Sequence, residues 1–147
     1  GIEVSGQNSQ QPQILIQSKD LLAVCNYLYS DSEQLFDLLN CITAIDNYPG
    51  SETIDILYHF TSFPFQKSVI IKITISRDLA FAESVDTLSS IWKTAEWHER
   101  EIFDFFGIKF LNHPDLRRIL LPADWEGHPL RKDYQEQEEY HGIKVKY

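Results

Sequence analysis

Residues 54–76, IDILYHFTSFPFQKSVIIKITIS, place two runs of β-branched and aromatic residues on either side of a proline-containing loop. Stretches 54–60 and 69–76 read as strands, because such side chains suit a pleated, half-buried surface and Pro64 cannot continue a ladder between them. Just upstream, residues 38–45 carry Ile42, Thr43 and Ile45 and read as another strand, closed by the turn chemistry of Asn47, Pro49 and Gly50. Three strands in succession predict an antiparallel sheet.

Helical periods flank this sheet. Ser18 is a candidate N-cap, and after it Leu21, Leu22, Cys25, Leu28 and Tyr29 recur at helical spacing until about Ser30. A short second helical start covers 31–36. Beyond Arg77 the helical period returns over 84–92 and again over 95–106, with Thr94 as the cap and Gly107 as the stop. The expected fold class is α+β: a two-layer domain with a small, mainly antiparallel sheet and flanking helices, followed by an extended C-terminal arm. Residues 1–12, rich in Gln, Ser, Gly and Asn, read as a flexible lead-in. The domain is expected over 13–110 and the arm over 111–147.

Composition narrows the function. In 147 residues, Asp and Glu outnumber Lys and Arg by 22 to 13, a formal charge of −9, which disfavours a nucleic-acid or anionic-membrane binder. No apolar run approaches the roughly 20 residues of a membrane helix, and no secretory signal is read. Cys25 and Cys41 read as packed, reduced thiols in a reducing compartment. With no CxxC and no set of four cysteines, no redox metal is expected in this chain.

Two constellations stand out. On a wheel of 100° per residue, Ile91, Trp92, Ala95, Ile102, Phe103 and Phe106 share an arc with Glu99 near its middle. A carboxylate aimed at the core needs a partner, and Arg117, Arg118 and Arg131 are the cations on offer. The alternative is a rotated helix with Glu99 exposed on its shoulder. The opposite face carries Arg100, Glu101, Asp104 and Trp97, where a large aromatic among charges suits a protein contact or a fold back along its own domain.

The arm is the second constellation. HPDLRRIL (113–120) and WEGHPLRKDY (125–134) each combine His-Pro, Leu and adjacent basic residues. Within 113–133, Arg117, Arg118, Arg131 and Lys132 are balanced by Asp115, Asp124, Glu126 and Asp133, so no basic strip for nucleic acid forms. Interleaved charge with Leu116, Ile119, Leu120, Leu121, Trp125 and Leu130 suits docking along a protein surface, and prolines 114, 122 and 129 restrict the arm in advance.

Enzyme motifs fit poorly. His98-Glu99 opens like HExxH, but position 102 is Ile, not a second ligand. His113 and His128 with Asp115, Glu126 and Asp133 are the one metal-hydrolase candidate. No G-x-S-x-G, P-loop or GxGxxG occurs. Asp46 and Asp55, either side of a hairpin turn, read as ordinary solvated carboxylates.

The stretch EREIFDFFGIKFLNHPDLRRIL (99–120), followed by WEGHPLRKDY (125–134), resembles the signature of the thirty-kilodalton, or C, subunit of NADH:quinone oxidoreductase, respiratory complex I. The resemblance covers about residues 20–135. It implies a noncatalytic structural and assembly subunit in the peripheral arm of a proton-translocating enzyme, docked on the large quinone-site (D) subunit and on other peripheral-arm subunits. It also implies that flavin and iron-sulfur clusters sit in partner subunits, that the chain meets the membrane only through the complex, and that it lies on the cytoplasmic side of a bacterial inner membrane or the matrix side of a mitochondrial one. The short length fits the stand-alone form of this subunit.

Carried over residue by residue, Glu99, Arg100, Glu101 and Asp104 would fix the helix and its partner face, and Gly107 would turn the chain. His113, Pro114, Asp115, Arg117 and Arg118 would begin the docking arm; Gly127, His128, Pro129, Arg131, Lys132 and Asp133 would continue it. Related membrane hydrogenases and plastid-type NAD(P)H dehydrogenases share this subunit, and they are the alternative parent complexes.

Overall fold

The computed structural model describes residues 3–5, 13–80 and 82–144. Five strands make the main sheet in the order β1-β2-β5-β4-β3. These are β1 (Glu3–Ser5), β2 (Gln13–Leu15), β3 (Leu38–Asp46), β4 (Thr53–Ser62) and β5 (Lys67–Ser76). The hairpin read from residues 54–76 is its centre, with Tyr58 opposite Ile71 and Phe60 opposite Val69. β3 adds antiparallel to β4, with a register shift between Leu39 and Cys41. The edge differs from expectation, since β2 runs parallel to β5 and β1 pairs antiparallel with β2. Residues 3–5 of the expected lead-in are therefore strand; the rest of 1–12 lies outside the described residues.

Alternation along the hairpin builds the core. Ile54, Ile56, Tyr58 and Phe60 of β4 and Val69, Ile71, Ile73 and Ile75 of β5 point to one face and are buried. Against them pack Leu21 and Cys25 of α1 (Leu21–Ser30) and Ala95, Ile102 and Phe106 of α2 (Ala95–Phe106). Each fully buried Val, Ile, Leu or Phe among them contributes roughly 1.5–3 kcal/mol. Trp92 closes the seam: its ring centroid lies 4.8 Å from that of Phe60 and 5.5 Å from that of Tyr29, and its indole N–H donates to the Phe36 carbonyl at 3.2 Å. The α+β, two-layer expectation holds.

Two expected helices are corrected. Residues 31–36 form turns, because Asp31 accepts the Glu33 N–H at 2.7 Å and so caps a turn, and Leu35 takes φ +36°. Residues 84–92 hold the short strand β6 (Val85–Asp86), parallel to β7 (Phe110–Leu111), then one helical turn in which the Leu88 carbonyl accepts from Ile91 and Trp92. That single turn, with Leu88 and Trp92 buried, supplies the helical spacing.

Among the described residues the segment beyond β7 has no helix. It crosses the C-terminal half of α2 in turns and ends in a hairpin of β8 (Glu139–Tyr140) and β9 (Ile143–Lys144). No helix among the described residues is long and apolar enough to cross a membrane.

Candidate functional site

Helix α2 ends at Gly107, whose φ of +79° turns the chain out of the helix while its N–H donates to the Phe103 carbonyl. The last turn of any helix leaves carbonyls without intrahelical donors. Here the arm supplies them. The Asp104 carbonyl accepts from His128 Nδ1 at 2.9 Å and Arg118 Nη1 at 3.1 Å. The Phe105 carbonyl accepts the Leu130 N–H at 3.2 Å, and the Phe106 carbonyl accepts from Arg131 at 3.5 Å. Basic groups at the negative end of the helix dipole add a favourable electrostatic contribution.

Asp104 anchors the same crossing from its side chain. One carboxylate oxygen meets Arg118 Nη1 at 2.7 Å; the other accepts the backbone N–H groups of Ile119, Leu120 and Leu121 at 3.0, 2.8 and 2.9 Å. Burial opposes its charge, but the Leu121 N–H, Arg118 and the other two N–H groups prevail and hold its pKa below the usual carboxylate value. Arg118 is fully employed, since its Nη2 also donates to the carbonyls of Trp125 and Gly127. The helical wheel puts Asp104 on a polar face, yet it is wholly buried, because the arm covers that face.

A second clasp sits at the sheet end. Asp46 receives Arg77 Nε on both oxygens, at 2.9 and 3.1 Å, and the backbone N–H of Lys132 at 2.8 Å. Burial disfavours its charge; Arg77 and the N–H groups of Lys132 and Tyr48 outweigh that and lower its pKa. Arg77 also pairs with Asp133, and its carbonyl accepts from Arg131 at 3.1 Å. Asp46 is thus no solvated turn carboxylate. Asp55 is also buried, against Lys72 at 2.6 Å and Thr74. Counting by twos from Ile42 through Ala44 puts Asp46 on the inward face, a signal present in the sequence.

Glu99 is buried as its arc requires, but its partners are not arginines. It accepts from the Thr87 hydroxyl and from the Leu88 N–H at 2.7 Å, while of the cations proposed for it Arg118 goes to Asp104, Arg131 to backbone carbonyls and Arg117 to Asp115. Burial pushes its carboxyl up to about 7, with the Thr87 and Leu88 hydrogen bonds pulling the other way. The His113 ring is buried 3.8 Å from Glu99 and bonds the Glu96 carbonyl at 3.0 Å. The Asp115 N–H donates to His113 Nδ1 at 3.0 Å, which fixes the Nε2–H tautomer.

The remaining signature residues lie outside. Arg100 ties α2 to the arm through the Arg117 and Arg118 carbonyls at 3.1 and 3.0 Å, and its guanidinium lies 5.4 Å from the Trp97 ring centroid. Trp97 is 62% exposed. Asp115 and Arg117 form an exposed pair at 2.9 Å, and Glu101, Pro114 and Lys132 are exposed. Gly127 takes φ +79°, where a Cβ would stand 2.9 Å from the Tyr134 ring, and Pro129 lines a surface cleft beside it. His113 and His128 are not brought together. Their carbonyl partners, Glu96 and Asp104, are eight residues apart on α2, about 12 Å along its axis. No group of three His, Cys, Asp or Glu among the described residues is arranged to hold a metal, so the hydrolase constellation is not assembled.

Comparison with known proteins bears directly on this clasped arm. The family described as respiratory-chain NADH dehydrogenase, 30 Kd subunit, matches residues 14–140, which takes in β3, β4 and β5 of the sheet, α2 and both clasps. The chain belongs to this family. A relative from Chlorobium phaeobacteroides, named as the C subunit of NADH-quinone oxidoreductase, is 48% identical over 76% of this chain and 66% of its own. One of the same name from Chloroherpeton thalassium is 40% identical over 85% of this chain and 50% of its own. A third, from Moorella thermoacetica, is 39% identical over 87% and 82%. The chain thus spans between half and four-fifths of these relatives.

Solved structures share this fold. A chain in the structure of the membrane-bound sulfane sulfur reductase, an archaeal respiratory membrane complex, matches with a TM-score of 0.78 and 25% identity over 91% of this chain and 77% of that one. A trypsin-resistant fragment of Nqo5 matches with a TM-score of 0.65 and 22% identity over 79% and 90%.

Proposed function

We propose that this chain is a noncatalytic structural and assembly subunit in the peripheral arm of a proton-translocating NADH:quinone oxidoreductase, docked on the large quinone-site subunit and on other peripheral-arm subunits. One observation carries the reading. The arm turns Arg118 and Arg131 inward onto its own domain and leaves Leu120 (62% exposed) and Leu130 (53% exposed) outward, with Trp97 exposed on the helix that it crosses. Two guanidinium groups spent internally beside exposed leucines and an exposed tryptophan suit a surface made to be covered by another protein. The NADH-quinone oxidoreductase relatives support the identity of that partner complex.

In this reading the chain supports electron transfer without taking part in it. Iron-sulfur clusters belong to partner subunits in this reading, since the two cysteines of this sequence are too few for a four-thiolate cluster, and the flavin is placed with them. Membrane association comes through the complex, on the cytoplasmic side of a bacterial inner membrane or the matrix side of a mitochondrial one. The likeness to a chain of the sulfane sulfur reductase favours a second reading, the equivalent subunit of a related respiratory membrane complex. The higher identity to the NADH-quinone oxidoreductase relatives puts that enzyme first.

The test is Leu120→Glu with Leu130→Glu in the chain expressed with its complex. Both side chains are exposed, so the fold is retained, and the doubly substituted chain is expected to be lost from the purified complex. Stoichiometric recovery with the large quinone-site subunit would sink the docking role.

A further inference from the structure

Between α2 and the arm lies a cleft of about 560 Å³ walled by Phe105, Leu121, Trp125, Pro129 and Tyr134, with Glu136 and Gln137 at its edge. It has the size of a ligand-binding recess and an aromatic lining that is fixed in advance. The Trp125 indole N–H donates to the Tyr134 hydroxyl at 3.2 Å, and the Trp125 ring lies 5.3 Å from that of Tyr140. The Leu130 N–H bond to the Phe105 carbonyl joins the helix wall to the arm wall. The cleft therefore exists only with the arm clasped to α2.

Charge around this cleft is mainly acidic. Residues 122–139 hold Asp124, Glu126, Asp133, Glu136, Glu138 and Glu139 against Arg131 and Lys132. Arg131 is directed inward to the carbonyls of Arg77 and Phe106. Glu136 lines the cleft, and Glu126 lines an adjoining recess that shares Tyr134 and Gln137 with it. Neither Glu126 nor Glu136 forms an ion pair among the described residues. An apolar floor beneath a rim on which Glu126 and Glu136 lack ion pairs among the described residues fits a side chain that is itself apolar and lies next to a cation.

We infer that this cleft receives a segment of a partner polypeptide in which a Leu- or aromatic-sized side chain fills the Trp125/Tyr134 recess and a neighbouring Arg or Lys meets Glu136 and Glu126. The inference rests on the assembly reading above and names the chemistry of one contact within it. Because the arm's backbone is already bonded to α2, the partner meets a formed recess and need not order the arm on arrival.

A photoreactive p-benzoylphenylalanine at Gln137, in the chain incorporated into its intact complex, tests the occupant. The expected product on irradiation is one cross-linked partner peptide with Arg or Lys within two residues of the captured side chain. Capture of a peptide lacking a basic residue, capture of a second copy of this chain, or no capture in an otherwise complete complex would overturn the inference. In parallel, Glu136→Lys is expected to reduce retention of the chain through a high-salt wash by about fivefold or more, with Glu136→Gln between it and wild type. Equal retention of all three would also overturn it. Failure of the unsubstituted chain to co-purify with the complex would instead count against the assembly reading, so the two failures are distinct.

Discussion

Asp104 and Arg118 meet at 2.7 Å across 14 residues of sequence, with the Asp104 side chain closed off from solvent. Because that carboxylate also receives the N–H groups of Ile119, Leu120 and Leu121, the arm is held by its backbone at the point where it crosses α2. The clasp depends on a negative charge. A neutral group in the same place would present either fewer acceptor sites or a donor facing donors.

Asp104→Asn is therefore expected to destabilise the folded chain by about 3–5 kcal/mol, the usual consequence of leaving one member of a buried ion pair alone. Denaturant melts measure the loss, and limited proteolysis is expected to cut the released arm within residues 111–140. Asp115→Asn is the control, because its Arg117 partner is exposed, and it should leave both measurements unchanged. Indistinguishable melts for the two variants would mean that the Asp104 carboxylate does not hold the arm.

Helix α2 illustrates what is legible in the sequence and what is not. Its limits, its buried arc and Glu99 follow from residues a turn apart, because a helix repeats on itself. Asp104 does not, because its burial comes from the arm crossing the opposite face, and a wheel contains no such information. Asp46 is available from strand alternation, but its nearness to a turn points the other way. The 84–92 segment shows the reverse error: one real turn at Leu88–Trp92 suggests a longer helix that Glu99, by capturing the Leu88 N–H, does not permit. Signature residues locate the site; only the fold distinguishes those facing inward, such as Arg118, from those facing outward, such as Trp97.

Gly107 supplies a second prediction. Its φ of +79° disfavours any side chain, and a Cβ there would stand 2.6 Å from His128 Nε2. Gly107→Ala should cost about 1–2 kcal/mol from the left-handed backbone alone, with a further loss from displacing the His128 ring. A double-mutant cycle separates the two contributions. In a His128→Ala background the cost of Gly107→Ala should shrink toward the backbone penalty; strict additivity would mean that the ring does not oppose the new methyl group.

Glu99 makes stability depend on pH in an unusual direction for a carboxylate. Its folded pKa, about 7, lies above the ordinary value of 4.5, so between those values the folded state binds more protons than the unfolded state. The contribution is fully present below the unfolded value and is lost as pH rises through the folded one. A shift of this size corresponds to about 3 kcal/mol. Glu99→Gln keeps an acceptor for the Leu88 N–H but does not titrate. Unfolding free energies measured at intervals across the range should show wild type losing stability relative to Glu99→Gln as pH rises from about 5 to about 8. Net self-repulsion of the acidic chain varies nearly in parallel in the two proteins and largely cancels in the difference. Curves that stay parallel through this range would mean that Glu99 is already ionised in the folded core, with Thr87 and the Leu88 N–H sufficient to hold its charge.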